Sequence, residues 1–379
     1  MRTAGPFQLS EAQNRMRREN CPNDALRIVA RKHWQKRWYL LKINLYGIFV
    51  KGSKRLGTAV TLLAAVLLSA NATAQEKVVI AYSGVSGFQG PLWTFNDLKL
   101  SLKYGLDPET VMIVGGQRSI QGLLSGHIHF NLSSATAPMG ARRHGADLVI
   151  VAAGLNKFPF SFVAQKEIRQ PAQLAGKKIG ISNFGGSNDL AVTMALKEWG
   201  LSRQSVTLLR TGDAASRFLA LSNKAIDATL LSPPSTTDAK AMGFNILAHM
   251  GDMRSAFPQT VVSVNRAFLQ KRRDLVKQFI KGYSEAIYTL MQSKEVGIKV
   301  YRKNLRQQDV KVLEDTYDDI AGKFSFPPRV NREGIRTAWD FVALEFPGTK
   351  SDLNPEQLID ESVIDELEKE GFFKSLRSK

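Results

Sequence analysis

A single cysteine, Cys21, occurs in the 379 residues. It lies so close to the N-terminus that any form trimmed there has none. Disulfides, cysteine metal sites and thiol nucleophiles are then excluded. Histidine is almost as scarce, with five copies. No G-x-S-x-G elbow occurs, so the strained-turn serine nucleophile has no place to sit. Long apolar runs are missing too. The uncharged stretch Leu56–Leu68 covers 13 residues; at about 1.5 Å each it reaches roughly 20 Å, short of a bilayer core of about 30 Å. There is no low-complexity linker and no internal repeat of 20 to 50 residues.

The same apolar stretch has the mechanics of an export signal. Lys51, Lys54 and Arg55 precede it, and Ala72-Thr73-Ala74 follow as small residues fit for a peptidase cleft. Cleavage is expected after Ala74, and no cysteine there offers a lipid anchor. Residues 1–49 precede this signal and carry Trp34, Trp38 and Tyr39 without a globular pattern. Two readings stand: a start at Val50 with a gene-model extension before it, or a genuine basic arm. Residues 1–74 carry 13 basic and 3 acidic side chains, so +10 of the formal net charge of +18 lies in them. The remaining +8 gives little support to nucleic-acid binding and favours a small anionic ligand. An exported chain of this length without disulfides needs a sizeable core, and two domains of ordinary size fit.

From Lys77 onward short apolar strands alternate with helix-length segments. VVIAY (78–82), VMIVG (111–115), IHFNLS (128–133) and LVIVAAG (148–154) read as strands. LKLSLKYG (98–105) closes a helix capped by Gly105, and 119–126 is a second helix. The pattern restarts with KKIGIS (177–182), helix 187–199, VTLLR (206–210), helix 213–223, DATLLS (227–232), helix 235–242 and FNILA (244–248). VVSVN (261–265) then leads into long helices. This βαβα rhythm predicts an α/β fold with mostly parallel sheets covered on both faces.

In such sheets ligands sit beyond the carboxyl ends of strands. The loops there are rich in Gly, Ser and Asn, at Ser83–Gly90, Gly115–Ser119, Ser133–Thr136, Gly154–Asn156, Asn183–Asp189 and Ser232–Pro234. Gly185-Gly186-Ser187-Asn188 reads as a turn into a helix that Ser187 or Asn188 caps, with backbone N–H groups offered to an anion. The segment is not G-x-G-x-x-G and lacks a P-loop lysine, which argues against a nucleotide. His127 and His129 fall on one strand face by alternation, but no third ligand is in register. Metal: none is expected. His144 and His249 suggest nothing beyond a helix end and a surface. Asn131-Leu132-Ser133 matches a glycosylation acceptor inside an apolar strand, a poor site for one. The acidic run Glu314 to Asp319 and Lys271-Arg272-Arg273 read as solvated helix faces.

Several ordered pieces carry a family resemblance over roughly residues 77–375: LLSGHIHF, ARRHGADLVIVAAGLN, IRQPAQLAGKKIGISNFGGSNDLA, AIDATLLSPP with Asp227, and VIDELEKEGFF. The chain resembles the periplasmic solute receptors of ABC importers for nitrate, sulfonates, taurine and thiamine precursors. The resemblance implies a type 2 two-lobe periplasmic-binding-protein fold, each lobe a mostly parallel sheet flanked by helices. By it, residues 75–160 and 261–379 form lobe 1, the latter with a helical C-terminal region. Residues 161–260 form lobe 2, residues 50–74 the signal, and residues 1–49 the gene-model extension or a disordered arm. It places ligand contacts on Ser83, Ser86, Gln89, Ser134, Asn156, Gly186, Ser187 and Asn188. It implies chain crossings near Leu155–Val163 and Thr260–Val264, about which the cleft closes.

Function follows as an expectation: a monomeric periplasmic receptor that hands a small anionic organic solute to an inner-membrane ABC permease, with no catalysis, no cofactor and no nucleic-acid partner. The alternatives are a ligand-sensing module for a membrane signalling receptor, or a thiamine-precursor synthesis enzyme of the same fold. The latter relatives use a cysteine-rich motif that is missing here. Two departures from the family stand out. His129 replaces the usual acid of the first Gly-x-x-Asp turn, and Phe88 to Trp93 replaces the commoner approach to the first helix. Trp93 belongs either to a cleft suited to a larger, flatter ligand or to the core.

Overall fold

Ten strands form two sheets. The computed structural model describes residues 75–253, 256–345 and 354–378, which pack as one unit. The expected signal segment and the arm before it lie outside the described residues. In chain order the strands are β1 (Glu76–Tyr82), β2 (Leu106–Met112), β3 (Phe130–Ser133), β4 (Leu148–Leu155), β5 (Ser161–Ala164), β6 (Lys178–Ile181), β7 (Thr207–Arg210), β8 (Ala228–Leu231), β9 (Asn245–His249) and β10 (Thr260–Asn265). Lobe 1 is built on the order β2-β1-β3-β10-β4, and lobe 2 on β7-β6-β8-β5-β9.

Both sheets are mixed rather than uniformly parallel, and for the same reason. β10 runs antiparallel to β3 and β4, and β5 runs antiparallel to β8 and β9. Each is the strand on which the chain arrives from the other lobe, so each enters its sheet from the cleft end. The remaining strands run the opposite way and carry their C-terminal ends towards the cleft.

Helices follow most strands: α1 (Gly90–Asp97) and α2 (Leu100–Lys103) after β1, α3 (Gly116–Leu124) after β2, and α4 (Thr136–Arg143) after β3. In lobe 2 come α5 (Ser187–Glu198), α6 (Ala214–Ser222) and α7 (Ser235–Ala241). After β10 come α8 (Arg266–Lys271), α9 (Arg273–Gln292), α10 (Lys294–Leu305), α11 (Val310–Ile320), α12 (Arg332–Glu345), α13 (Ser362–Lys369) and α14 (Phe372–Arg377). No described helix is long and apolar enough to cross a membrane. Trp93 lies in the core, 5% exposed and edge-on to Tyr301 with ring centroids 6.4 Å apart.

Three sequence expectations shift. β2 covers Leu106–Met112, not 111–115, because it is an edge strand with one neighbour. An edge strand can be polar and can hold Pro108, whose missing N–H faces no partner. β5 was not anticipated: its four residues are all buried and too short a run to stand out beside β4. The second crossing precedes Thr260, since Thr260–Val264 already lies within β10. The two crossing segments are tied together. Phe257 N donates to Asn156 O at 3.0 Å, and the Phe158 and Phe257 rings stack at 4.5 Å.

The substituted acid at His129 has a structural explanation. In lobe 2, Asp227 precedes β8; its N–H donates to Lys178 O at 2.8 Å, and its carboxylate accepts from Lys178 N at 2.8 Å. In lobe 1, His129 precedes β3; its N–H donates to Val79 O at 2.9 Å, and its Nδ1 accepts from Val79 N at 2.8 Å. The imidazole does the work of the carboxylate, but only while Nδ1 is unprotonated. Burial and then Arg272 hold its pKa below the usual imidazole value. The folded state therefore binds this proton less readily than the unfolded chain, so stability falls as pH drops through about 6.5 towards the folded value. His129→Asn offers an acceptor that does not titrate. Urea unfolding at pH 7.5 and pH 5 is expected to show a smaller acid loss in the variant than in the unaltered protein. Equal losses would remove His129 as the cause.

Candidate functional site

A cleft with ≈ 990 Å³ of empty space, part of it open solvent, lies between the two sheets. Four helix N-termini line it. They are α3 through Gly115 and Gly116, α4 through Thr136, α5 through Ser187 and Asn188, and α6 through Asp213 and Ala214. Each helix follows a strand whose C-terminal end points there, as βα units dictate. Helix N-termini carry partial positive charge and unpaired N–H groups, so their convergence favours an anion.

Glycine makes the approach possible on both sides. A Cβ on Gly116 would lie 2.7 Å from Ala137 Cβ, so only glycine lets the first turns of α3 and α4 meet this closely. Gly185 has φ of 68°, the left-handed region that turns the chain into α5. The start of α5 differs from expectation. Neither Ser187 nor Asn188 caps it; Gly186 stands at the N-cap without a side-chain bond. The buried carboxylate of Asp189 accepts from Gly185 N at 2.9 Å and pairs with Arg203. Gly186 N makes a long 3.4 Å bond to Asn183 O. The N–H groups left to a ligand are therefore those of Ser187 and Asn188, one position further on than Gly186.

Arg217 is the strongest charge in the cleft lining, and it is only 5% exposed. Its Nε and one terminal nitrogen donate to Leu230 O at 3.3 and 3.2 Å, and the other terminal nitrogen donates to Gly212 O at 2.6 Å. A guanidinium has five N–H groups, so two remain. Burial pulls its pKa down to about 10, with Asp213 opposing, which leaves it charged at neutral pH. Asp213 caps its own helix by accepting from Ser216 N at 2.8 Å, and that bond holds its carboxyl below the usual range.

Of the residues singled out from sequence, Ser83, Ser86, Ser134, Gly186, Ser187 and Asn188 line this cleft. Ser86 is already engaged across it: its Oγ lies 2.8 Å from Ser232 Oγ and donates to Pro233 O at 3.0 Å, joining lobe 1 to lobe 2. Ser134 shares a bond with Thr136 at 2.9 Å. Gln89 and Asn156 are not among the lining residues. Gln89 is 1% exposed beneath the loop, with its amide atoms unpartnered. Asn156 donates to Ser325 Oγ and Arg329 O, both at 2.8 Å, and accepts from Asn331 N at 3.0 Å, so its amide clamps a loop instead. Sequence reading missed Arg217, Asp213 and Gln259. The first two follow the C-terminal end of β7, where Thr211-Gly212-Asp213 is the signal that the sequence carries. His127 bonds to Ser125 at 2.7 Å, away from the cleft lining. Among the described residues no group of three or more His, Cys, Asp or Glu side chains could hold a metal.

A family model described as NMT1/THI5 like matches residues 103–295, about half of the chain. The chain belongs to the NMT1/THI5-like family. The match runs from the end of α2 through both crossings and α9 to the start of α10, so it takes in all of lobe 2 and most of the cleft. No curated protein sequence matches the chain. Solved structures do. A protein from Bordetella bronchiseptica RB50 aligns with TM-score 0.67 and 18% identity over 78% of this chain and 98% of its own. The alkanesulfonate-binding protein SsuA from Xanthomonas axonopodis pv. citri, bound to MOPS, aligns with TM-score 0.62 and 18% identity over 72% and 94%. The desulfurization enzyme DSZB aligns with TM-score 0.60 and 13% identity over 77% and 99%. These likenesses establish the periplasmic-binding-protein fold for this NMT1/THI5-like chain. Since a binding protein and an enzyme share it, function has to be read from the cleft.

Proposed function

We propose that the protein is an extracytoplasmic solute receptor that captures a small organic anion in the interlobe cleft and delivers it to an ABC import permease. The observation that carries this reading is Arg217: a buried guanidinium in the cleft lining with two N–H groups unspent, set among four helix N-termini. A sulfonate or carboxylate matches that fork and would also reach Ser187 N and Asn188 N. The rim adds apolar surface. Val85, Met112 and Val114 are 46%, 45% and 39% exposed there, suited to the hydrocarbon part of such an ion. An anion held by lobe 2 while touching lobe 1 favours the closed arrangement by its differential affinity. The likeness to SsuA supports the sulfonate class, and with it our reading of an exported, monomeric, permease-coupled receptor. The cleft supports capture over turnover. Its titratable side chains among the described residues are Asp213, which caps α6, and Arg217, which uses three of its five N–H groups within lobe 2.

Calorimetric titration with hexanesulfonate and with MOPS tests the reading, with hexanol as the uncharged control. Binding of the sulfonates and not of hexanol is expected. Ser187→Pro is accepted at the first helical position yet removes one N–H from the cleft, so it is expected to weaken binding about tenfold, or about 1.4 kcal/mol. If no sulfonate or carboxylate binds the unaltered protein, the anion-receptor reading fails.

A further inference from the structure

Gln259 occupies an unusual position once the cleft is given to an anion. It lies on the second crossing segment, immediately before β10, and its backbone N–H donates to Leu155 O at 2.9 Å. It is among the residues that line the cleft and is 4% exposed, and its Oε1 is buried with no hydrogen-bond partner. Buried amide oxygens normally have partners, because desolvation without a replacement bond is costly. Three other polar side chains of the lining have local partners: Ser86 has Ser232, Ser134 has Thr136, and Asp213 has Ser216 N. The two crossing segments are also held to each other by the Phe158–Phe257 stack, so the backbone carrying Gln259 is fixed.

We infer that Gln259 recognises a neutral hydrogen-bonding group on the ligand, a hydroxyl or an amide, at a second point away from the anionic head. This rests on the anion-receptor reading above. A carboxamide carries no countercharge and so cannot offset the desolvation of a second ion. A half-turn about its last bond presents either the oxygen or the NH₂, and a hydroxyl can answer both. Phe160, 6% exposed in the same lining, supplies an apolar neighbour from the first crossing. The ligand class is thus a polar-tailed organic anion, one end on Arg217 of lobe 2 and the other on the segment where the chain returns to lobe 1. A ligand seated in this way links the anion site directly to the crossing.

Matched pairs of probes test this on the full chain: straight alkanesulfonates from ethanesulfonate to hexanesulfonate, each beside its ω-hydroxy counterpart, titrated calorimetrically. At one chain length the hydroxyl is expected to tighten binding at least about tenfold. Gln259→Leu is expected to abolish that gain, so that each ω-hydroxy probe binds no more tightly than its parent alkanesulfonate. Gln259→Met, closer in shape, repeats the test should the leucine variant lose its fold by circular dichroism. The inference is overturned if the hydroxyl gives no gain at any length, or if the gain survives both substitutions. Failure of every probe to bind the unaltered protein would overturn the receptor reading with it, whereas equal binding within each pair overturns this inference alone.

Discussion

Arg217→Met is expected to weaken alkanesulfonate binding at least a hundredfold, about 2.8 kcal/mol. The substitution roughly keeps the side-chain volume in a buried site and removes the two N–H groups that no protein acceptor takes. It also removes the donors to Leu230 O and Gly212 O within lobe 2. Arg217→Lys retains the charge but not the planar fork, so an intermediate loss of about tenfold is expected. Ionic strength separates the two contributions little, because a buried charge is poorly screened. A folded methionine variant that binds within threefold of the original would place the anion elsewhere.

Asp189→Ala is expected to cost about 3 kcal/mol of folding stability, in the range for breaking a buried ion pair. The carboxylate is fully buried, accepts Gly185 N, and pairs with Arg203, which also reaches Glu345 of α12 at 3.5 Å. Removing it leaves the Gly185 N–H unmet and Arg203 with a half-exposed partner. Asp189→Asn keeps one acceptor oxygen and is expected to cost less. Urea denaturation of the three proteins measures both effects, and a loss under about 1 kcal/mol for the alanine variant would show that water readily replaces the carboxylate. Because Asp189 holds the turn before Ser187 and Asn188, the alanine variant should also bind sulfonates more weakly.

Much of the fold is written in local pattern. The apolar runs at β1, β4, β6, β8 and β10 stand out from the polar segments around them, and the helices between them begin within a few residues of expectation. What escaped was set by neighbours rather than by local sequence. β2 can be polar because it has one partner, and β5 is buried because it lies between two. The site was legible in outline, since strand ends rich in Gly, Ser and Asn line the cleft at Ser83, Ser134 and Ser187. Its chemistry was less so. Arg217 looks like any helical arginine until the packing shows it buried, and Gln259 looks like any glutamine before a strand. Asn156 illustrates the converse. Its place at a strand end suggested a ligand contact, but Ser325, Arg329 and Asn331, far along the chain, take up its amide. Which of two neighbours a polar side chain serves depends on contacts that no short window of sequence contains.

The strand order has a consequence for how the protein is made. β4 hydrogen-bonds, within its sheet, to β10 alone. Its eight residues, LVIVAAGL, are buried throughout. A chain growing from its N-terminus therefore exposes both backbone edges of an uninterrupted apolar strand until residues 260–265 arrive, more than a hundred residues later. Lobe 2 needs no such wait, because all the strands of its sheet lie between Ser161 and His249. The later-synthesised lobe is thus the first that can close its sheet, and the earlier one stays open and prone to wrong pairing in the meantime. A chain built this way gains from being held unfolded until it is whole.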